Sequence, residues 1–285
     1  MNNYTVSFTT PEASTNSTAD SFWLLESLKM CMFSINLLFG FPTHSYVIWL
    51  IVTGTGSGVA SEFFNLNLSV CEIGNCLNCL FYIMSICFQR ISKLPLFLLG
   101  LFFTGRPLFQ CLICVERYLA VVHPVTFLKF KPLRYRVICC TVAWINILGS
   151  CFCCLFIVFT KNGEMHTQFF SLQFLLAICI QMFCLVAVLR ALKHSGPGER
   201  RRERKEENHM KKRAFQIILI TTVSMTIIYV PFATTGLITI LTNNYIHKLW
   251  ITSLICYVLA GFVQPVLYLH RTLKFSCLCS PYCAQ

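Results

Sequence analysis

Seven long apolar runs constrain this chain more than any other feature of its sequence. They cover residues 30–53, 63–87, 94–122, 137–159, 169–192, 214–241 and 248–269. Each run is long enough to cross a bilayer as a helix, which takes roughly 20 mainly apolar residues. Only 12% of the residues are charged, whereas a typical soluble domain has about 25%. The sequence therefore predicts an all-α fold, a seven-transmembrane helical bundle, whose runs we call the first to the seventh span.

The distribution of lysine and arginine predicts how the bundle is oriented. If the N-terminus is outside, the inner segments hold fifteen of these residues and the outer segments hold five, which fits the excess of basic residues in cytoplasmic loops. We therefore expect a multi-pass plasma-membrane protein with an extracellular tail over 1–29, a membrane domain over 30–269 and a cytoplasmic tail with a short amphipathic helix over 270–285. The net charge of +12 then reflects a basic inner collar that faces anionic lipid or an acidic partner. No nucleic-acid motif accompanies this charge.

Both tails carry motifs for covalent modification. Asn3 in NYT and Asn16 in NST fit the acceptor pattern for N-glycosylation, which needs an extracellular location. Cys277, Cys279 and Cys283 follow the last span beside basic residues, where palmitoylation commonly anchors a tail to the inner leaflet. Free thiols are the alternative for these three cysteines. We predict glycosylation outside and palmitoylation inside.

The 18 cysteines do not read as a disulfide or metal scaffold. Nearly all lie in the spans or the cytoplasmic tail, and the outer segments 1–29, 88–93, 160–168 and 242–247 contain none. Intramembrane cysteines act mostly as small apolar packing residues, and no histidines stand beside them at the spacing of zinc ligands. The sequence also offers no nucleophile–base constellation. We therefore expect no metal, no cofactor and no enzymatic activity.

A single arginine, Arg106, lies within the otherwise apolar third span. A charge at this depth is costly, and the charges that persist in membranes are usually paired. Glu72 lies at a similar depth in the second span, about 13 Å from its start at 1.5 Å per residue, so we expect the two to pair. The pair either only fixes helix packing or acts as a switch. Pro107 favours the switch, because it removes a hydrogen bond to the Phe103 carbonyl and lets the helix bend.

Several short motifs along the spans resemble those of rhodopsin-like (class A) G-protein-coupled receptors. CVERYLAVVHP at the inner end of the third span resembles the family's Asp/Glu-Arg-Tyr signature. The other matches are FGFPTHSYVIW in the first span, NLNLSVCE in the second, Trp144 in the fourth, IIYVPF in the sixth and QPVLY in the seventh. HPVTFLKF and QPVLY look most like the purinergic and protease-activated branch. The chain is identified as an atypical member of this family, from about residue 30 to 275.

The resemblance implies a receptor that transmits an extracellular ligand signal to heterotrimeric G proteins. The residues that it assigns to G-protein coupling are Glu116, Arg117, Tyr118 and Tyr268, with Glu116 restraining the neighbouring arginine at rest. The helix hinges are Pro107 and, by resemblance, Pro231 and Pro265. The family brings the positions of His44, Glu72, Arg106 and Gln264 together around a sodium ion. In this chain Arg106 would supply that positive charge permanently, within an intramembrane polar network.

The resemblance also implies a ligand pocket toward the outer side of the bundle. Its residues would be Leu99, Gly100, Phe103, Tyr229, Phe232 and Leu254. Because Leu99 stands where amine receptors carry an aspartate, an amine ligand is not expected. An apolar floor under a rim of basic residues favours an anionic or amphipathic small molecule.

Departures from the family pattern leave two other functions open. The cysteines of the usual outer disulfide are missing near Ser92 and in the loop 160–168, and Gln264 replaces the usual asparagine. A heptahelical scaffold receptor that does not signal is therefore one alternative. An ion- or proton-coupled transporter that uses Glu72 and Arg106 is another, although inverted repeats are not evident.

Overall fold

The computed structural model describes residues 13–53, 62–130, 132–160, 163–193 and, with gaps, 215–269, and apart from short turns and helix ends these residues are helical. None of these described residues belongs to a strand. In chain order the helices are α1 (Ala13–Ile35), α2 (Phe41–Val52), α3 (Phe63–Cys87), α4 (Lys93–Gly100), α5 (Arg106–Val122), α6 (Pro124–Phe130), α7 (Leu133–Thr160), α8 (Gly163–Lys193) and α9 (His247–Gly261). The predicted all-α fold is confirmed.

Five helical segments within the described residues are long and apolar enough to cross a membrane. They are Glu26–Val52, Phe63–Cys87, Gln89–Val122, Leu133–Ile157 and Gln168–Ala191, and they coincide with the first five predicted spans. In the sixth span, every described residue between 215 and 242 is helical. Helix α9 covers most of the seventh span. The first five apolar runs therefore coincide with helices that can cross a membrane, and the described residues of the sixth and most of those of the seventh are helical.

The first helix begins earlier than the sequence predicted. Helix α1 starts at Ala13, inside the segment 1–29 that was predicted as a polar tail. No glycine or proline interrupts the chain between Ala13 and Lys29, and these two residue types are the strongest helix breakers. The helix of the first span therefore extends outward beyond the apolar run.

Two π-helical turns interrupt the spans, and each ends on the glycine of a Gly-x-Pro sequence. Asn36–Gly40 separates α1 from α2 and precedes Pro42, and Leu101–Gly105 separates α4 from α5 and precedes Pro107. Proline has no amide hydrogen and its ring clashes with the carbonyl four residues before it. An extra residue in the preceding turn relieves this clash, and π turns of this kind often occur at functional sites. The irregularity expected at Pro107 is thus a π turn.

The third span, formed by α4, its π turn and α5, lies at the centre of the described bundle. In its most apolar stretch 72% of the residues are buried, against 28–33% in the other four segments. Two glycines permit this close packing. A Cβ atom on Gly100 would overlap the backbone of Cys151 in the fourth span, and one on Gly105 would overlap the Cys71 sulfur in the second. This central position lets Arg106 reach neighbours on several spans.

Candidate functional site

Arg106 and Glu72 form a buried, two-pronged ion pair between the third and second spans. The Arg106 Nε donates to Glu72 Oε1, and Nη2 donates to Oε2 at 2.7 Å. Arg106 is 2% exposed and Glu72 is 4% exposed. Two parallel hydrogen bonds between a guanidinium and a carboxylate are among the strongest polar contacts in proteins. The pairing expected from the sequence is therefore present.

The local backbone explains why Arg106 reaches this position. Arg106 is the first residue of α5 and follows directly on the π turn Leu101–Gly105. Because Gly105 has no side chain, the third span lies close to Cys71, the residue that precedes Glu72 in α3. The arginine therefore meets the carboxylate near the middle of both spans.

The seventh span supplies a second partner of Arg106, Tyr257, which the sequence did not predict. Arg106 Nη1 donates to the Tyr257 carbonyl at 2.8 Å, and the guanidinium carbon lies 3.9 Å from the centroid of the Tyr257 ring. The Tyr257 hydroxyl donates to the Phe102 carbonyl at 2.5 Å, and the Phe102 ring stacks on the Tyr257 ring with centroids 3.8 Å apart. Tyr257 lies in an apolar run without motif, so nothing in the sequence marked it.

Further polar residues surround the ion pair. The Asn75 amide donates to Glu72 Oε2 at 3.3 Å. His44 of the first span is buried, and its Nδ1 atom has no hydrogen-bond partner among the described residues. A Cβ atom on Gly261 would lie only 2.8 Å from Arg106 Nη2, so the guanidinium fits because this residue is glycine. The charges of Glu72 and Arg106 both lie close enough to act on the His44 ring.

The predicted pocket residues are largely packed against one another in this conformation. Phe103 belongs to a cluster with Phe102, Phe170, Phe174 and Tyr257, and Leu99 and Leu254 pack on its edge. The Phe103 and Phe170 ring centroids are 4.8 Å apart. We call Phe102, Phe103, Phe170, Phe174 and Tyr257 the aromatic cluster. It covers the ion pair on its outer side.

Gly100, another predicted pocket residue, lies at a close contact with the fourth span. A Cβ atom there would meet the backbone of Ser150 and Cys151 in the fourth span. The side of Gly100 on which a side chain would project thus faces a helix–helix contact, and its place in the ligand pocket stays a prediction.

At the inner end of the third span, the residues of the signature have partners on neighbouring helices. Glu116 pairs with Arg136 at the start of α7 at 2.5 Å, and both side chains are buried. Arg117 Nη2 lies 3.9 Å from Glu62, which precedes α3, and the Arg117 side chain is 24% exposed. The resemblance implied that Glu116 restrains Arg117. The structure instead gives each its own partner, because adjacent residues of a helix point in different directions.

The other predicted coupling and hinge residues occupy separate places. The Tyr118 hydroxyl lies 3.0 Å from His123 Nε2 at the end of the third span. Tyr268 packs with Val47, Leu50 and Ile51 of the first span. Pro231 and Pro265 lie in helical segments. The predicted residues outside the described part of the chain are Asn3, the side chain of Asn16, Tyr229, Phe232, Gln264, Cys277, Cys279 and Cys283.

Comparison with known proteins identifies one family and several distant relatives. The model of the family described as 7 transmembrane receptor (rhodopsin family) matches residues 44–268. Hydroxycarboxylic acid receptor 2 of Rattus norvegicus is 25% identical over 221 residues, which cover 69% of this chain and 59% of the relative. C-C chemokine receptor type 8 of Homo sapiens is 24% identical, with 73% and 62% covered.

A third relative is the uracil nucleotide/cysteinyl leukotriene receptor of Rattus norvegicus. It is 22% identical over 227 residues, which cover 72% of this chain and 65% of the relative. The matched part of the chain thus spans about three fifths of the length of these curated relatives.

Proposed function

The chain belongs to the rhodopsin family of seven-transmembrane receptors, and from this premise we propose that it transmits an extracellular ligand signal to a heterotrimeric G protein. Members of this family are multi-pass membrane receptors and not enzymes. The observation that carries the proposal is the inner end of the third span. There Arg117 is partly exposed, and the ion pair that it makes among the described residues, with Glu62, has a separation of 3.9 Å, so a partner on the cytoplasmic side can reach it.

The two arginines of the third span give the signal a physical route. Arg106 and Arg117 are eleven residues apart within α5, about 16 Å along the axis and within roughly 20° of the same face. Each pairs with a glutamate of the second span or its entrance. A rotation or shift of the third span therefore strains both pairs together. In this proposal Arg106 supplies the positive charge at the bundle centre, so signalling does not depend on sodium.

The ligand of the proposed receptor is an anionic or amphipathic small molecule. Leu99 offers no carboxylate for an amine, and the aromatic cluster beside it is apolar. Arg90 is exposed, and Lys93 lies 5.6 Å from the Phe159 ring, at the outer end of the third span. The names of two relatives refer to hydroxycarboxylic acids and to uracil nucleotides and cysteinyl leukotrienes, which are anions. This agreement supports the same ligand class here.

Replacement of Arg117 by alanine tests the proposal. We expect Arg117→Ala to abolish G-protein activation, both without ligand and with a panel of hydroxycarboxylates, nucleotides and leukotrienes, because it removes the side chain that the G protein would contact. Cell-surface amount should stay near that of the wild type, since the ion pair of Arg117 among the described residues is long and partly exposed. The readout is G-protein dissociation per receptor at the surface.

Arg134→Ala is the matched control, because Arg134 is an exposed arginine on the same inner face and should signal normally. Equal signalling by Arg117→Ala and the wild type would contradict the proposed coupling. A wild type that activates no G protein under any condition would favour the scaffold receptor instead.

A further inference from the structure

The π turn of the third span, together with Pro107, leaves the Phe102 carbonyl without a backbone donor. In a π turn each carbonyl accepts from the amide five residues ahead. For Phe102, the second residue of the turn Leu101–Gly105, that amide would come from Pro107, which has no amide hydrogen. The amide of Arg106, which an ordinary α-helix would offer to this carbonyl, follows the π register and bonds to Leu101 instead. Without the π turn, the unpaired carbonyl would have been that of Phe103.

The Tyr257 hydroxyl occupies the position of the missing donor. It donates to the Phe102 carbonyl at 2.5 Å, and the Tyr257 side chain is only 1% exposed. In the membrane interior an unpaired carbonyl is costly, because no water replaces the lost partner. The hydrogen bond therefore links the stability of the π turn to the position of the seventh span.

The same residue also holds the ion pair. Its carbonyl accepts from Arg106 Nη1 at 2.8 Å, and its ring lies under the guanidinium at 3.9 Å. Its ring stacks on Phe102 within the aromatic cluster. One tyrosine thus joins the proline-induced irregularity, the central charge pair and the outer apolar residues.

The first span contains an internal comparison. Its π turn, Asn36–Gly40, also precedes a proline, Pro42, and the same reasoning removes the backbone donor from the Leu37 carbonyl. Leu37 is only half-buried, and among the described residues no side chain donates to its carbonyl. The tyrosine bond is therefore particular to the third span, where the turn is buried and adjoins a charge.

We propose that Tyr257 is a positioning residue that latches the seventh span to the third-span π turn and so holds the receptor in its closed conformation. The conformation is closed in the sense that Arg117 remains paired with Glu62. The signalling part of this inference rests on the proposed function. The latch itself does not rest on the proposed function, because it concerns only which groups form hydrogen bonds in the resting protein.

Tyr257→Phe removes the hydroxyl and keeps the ring and the backbone carbonyl. We expect the purified protein to unfold at a lower temperature. Ligand-independent G-protein activation per surface receptor should rise about fivefold, the shift that one ordinary hydrogen bond gives. Tyr46→Phe is the matched control, since it deletes the hydroxyl of an exposed tyrosine in the first span, and it should change neither quantity.

The decisive arm repeats the substitution in a Pro107→Ala background. Alanine restores an amide hydrogen, so the Phe102 carbonyl regains a backbone donor and the hydroxyl becomes dispensable. We expect Tyr257→Phe to change the unfolding temperature and the basal activation much less in this background than in the wild type.

If Tyr257→Phe lowers the unfolding temperature and raises the basal activation by the same amounts in both backgrounds, the proposal is overturned, because the hydroxyl would then not substitute for the missing amide. Basal activation equal to that of the wild type in Tyr257→Phe would also overturn it and leave Tyr257 a packing residue. If the wild type activates no G protein at all, the proposed function fails. The coupling between the two substitutions in unfolding temperature still decides whether the latch exists.

Discussion

At the scale of single residues, the two arginines of the third span are held with very different strength. Arg106 is buried, and both of its prongs engage Glu72. Arg117 is partly exposed and approaches Glu62 only at 3.9 Å. Partly exposed ion pairs contribute about 0–1 kcal/mol, whereas breaking a buried pair on one side costs about 3–5 kcal/mol. A cytoplasmic partner can therefore replace Glu62 as the contact of Arg117, whereas the ion pair between Arg106 and Glu72 remains intact.

Substitution of Glu62 should release the inner arginine. We expect Glu62→Gln to raise ligand-independent G-protein activation about two- to fivefold, the range for loss of a weak ion pair. Glu26→Gln is the matched control, because Glu26 also pairs with a basic residue, Lys29, but at the outer end of the first span. Basal activation per surface receptor is the measurement. A Glu62→Gln variant with basal activation at or below the wild-type level would show that Glu62 does not restrain Arg117.

The sequence predicted the central charge pair but not all of its partners. Glu72 and Arg106 were recognisable because they are opposite charges at similar depth in two apolar spans. Tyr257 was not recognisable, because its backbone carbonyl is what binds Arg106. Its hydroxyl bonds to the Phe102 carbonyl, which lacks a backbone donor because of the π turn. The pairing of Glu116 with Arg136 was missed for another reason. It depends on how α7 approaches α5, which no local pattern contains.

At the scale of secondary-structure elements, the spans followed from apolar length, whereas their irregularities did not. The sequence marked Pro107 as a place where the helix departs from regularity. It did not indicate that the departure is a π turn, or that Pro42 repeats it in the first span. The close contact of Gly100 with the fourth span was not predicted for a related reason, since helical spacing alone gives no information on which neighbour lies within contact distance.

The close contact between the third and fourth spans can be tested through two glycines. We expect Gly100→Ala to lower the free energy of unfolding by about 1–3 kcal/mol, the usual cost of overpacking, because the new methyl group overlaps the Cys151 backbone. Gly149→Ala is the matched control in the fourth span, where a Cβ atom meets nothing within 4 Å. The unfolding temperatures of the two purified variants provide the comparison. A Gly100→Ala variant as stable as Gly149→Ala would mean that the two helices are not in contact there.

At the scale of the whole molecule, the charges along the third span form one connected arrangement. The aromatic cluster covers the outer side of the Glu72–Arg106 pair, Tyr257 ties that pair to the seventh span, and Arg117 lies farther inward on the same helix. In the proposed function, a ligand that displaces the aromatic cluster would act on the inner end without touching either arginine. We infer that the Glu72–Arg106 pair holds the bundle together at its middle.

A double-mutant cycle on Glu72 and Arg106 measures whether this pair stabilises the bundle. The wild type, Glu72→Gln, Arg106→Gln and the double variant are purified, and their unfolding temperatures are measured. Each single substitution leaves one buried charge without its partner and should destabilise the protein strongly, by about 3–5 kcal/mol. The double variant should be less destabilised than the sum of the single variants, because both charges are then gone. Strictly additive losses would contradict the account, since they would show that the two charges do not interact in the folded receptor.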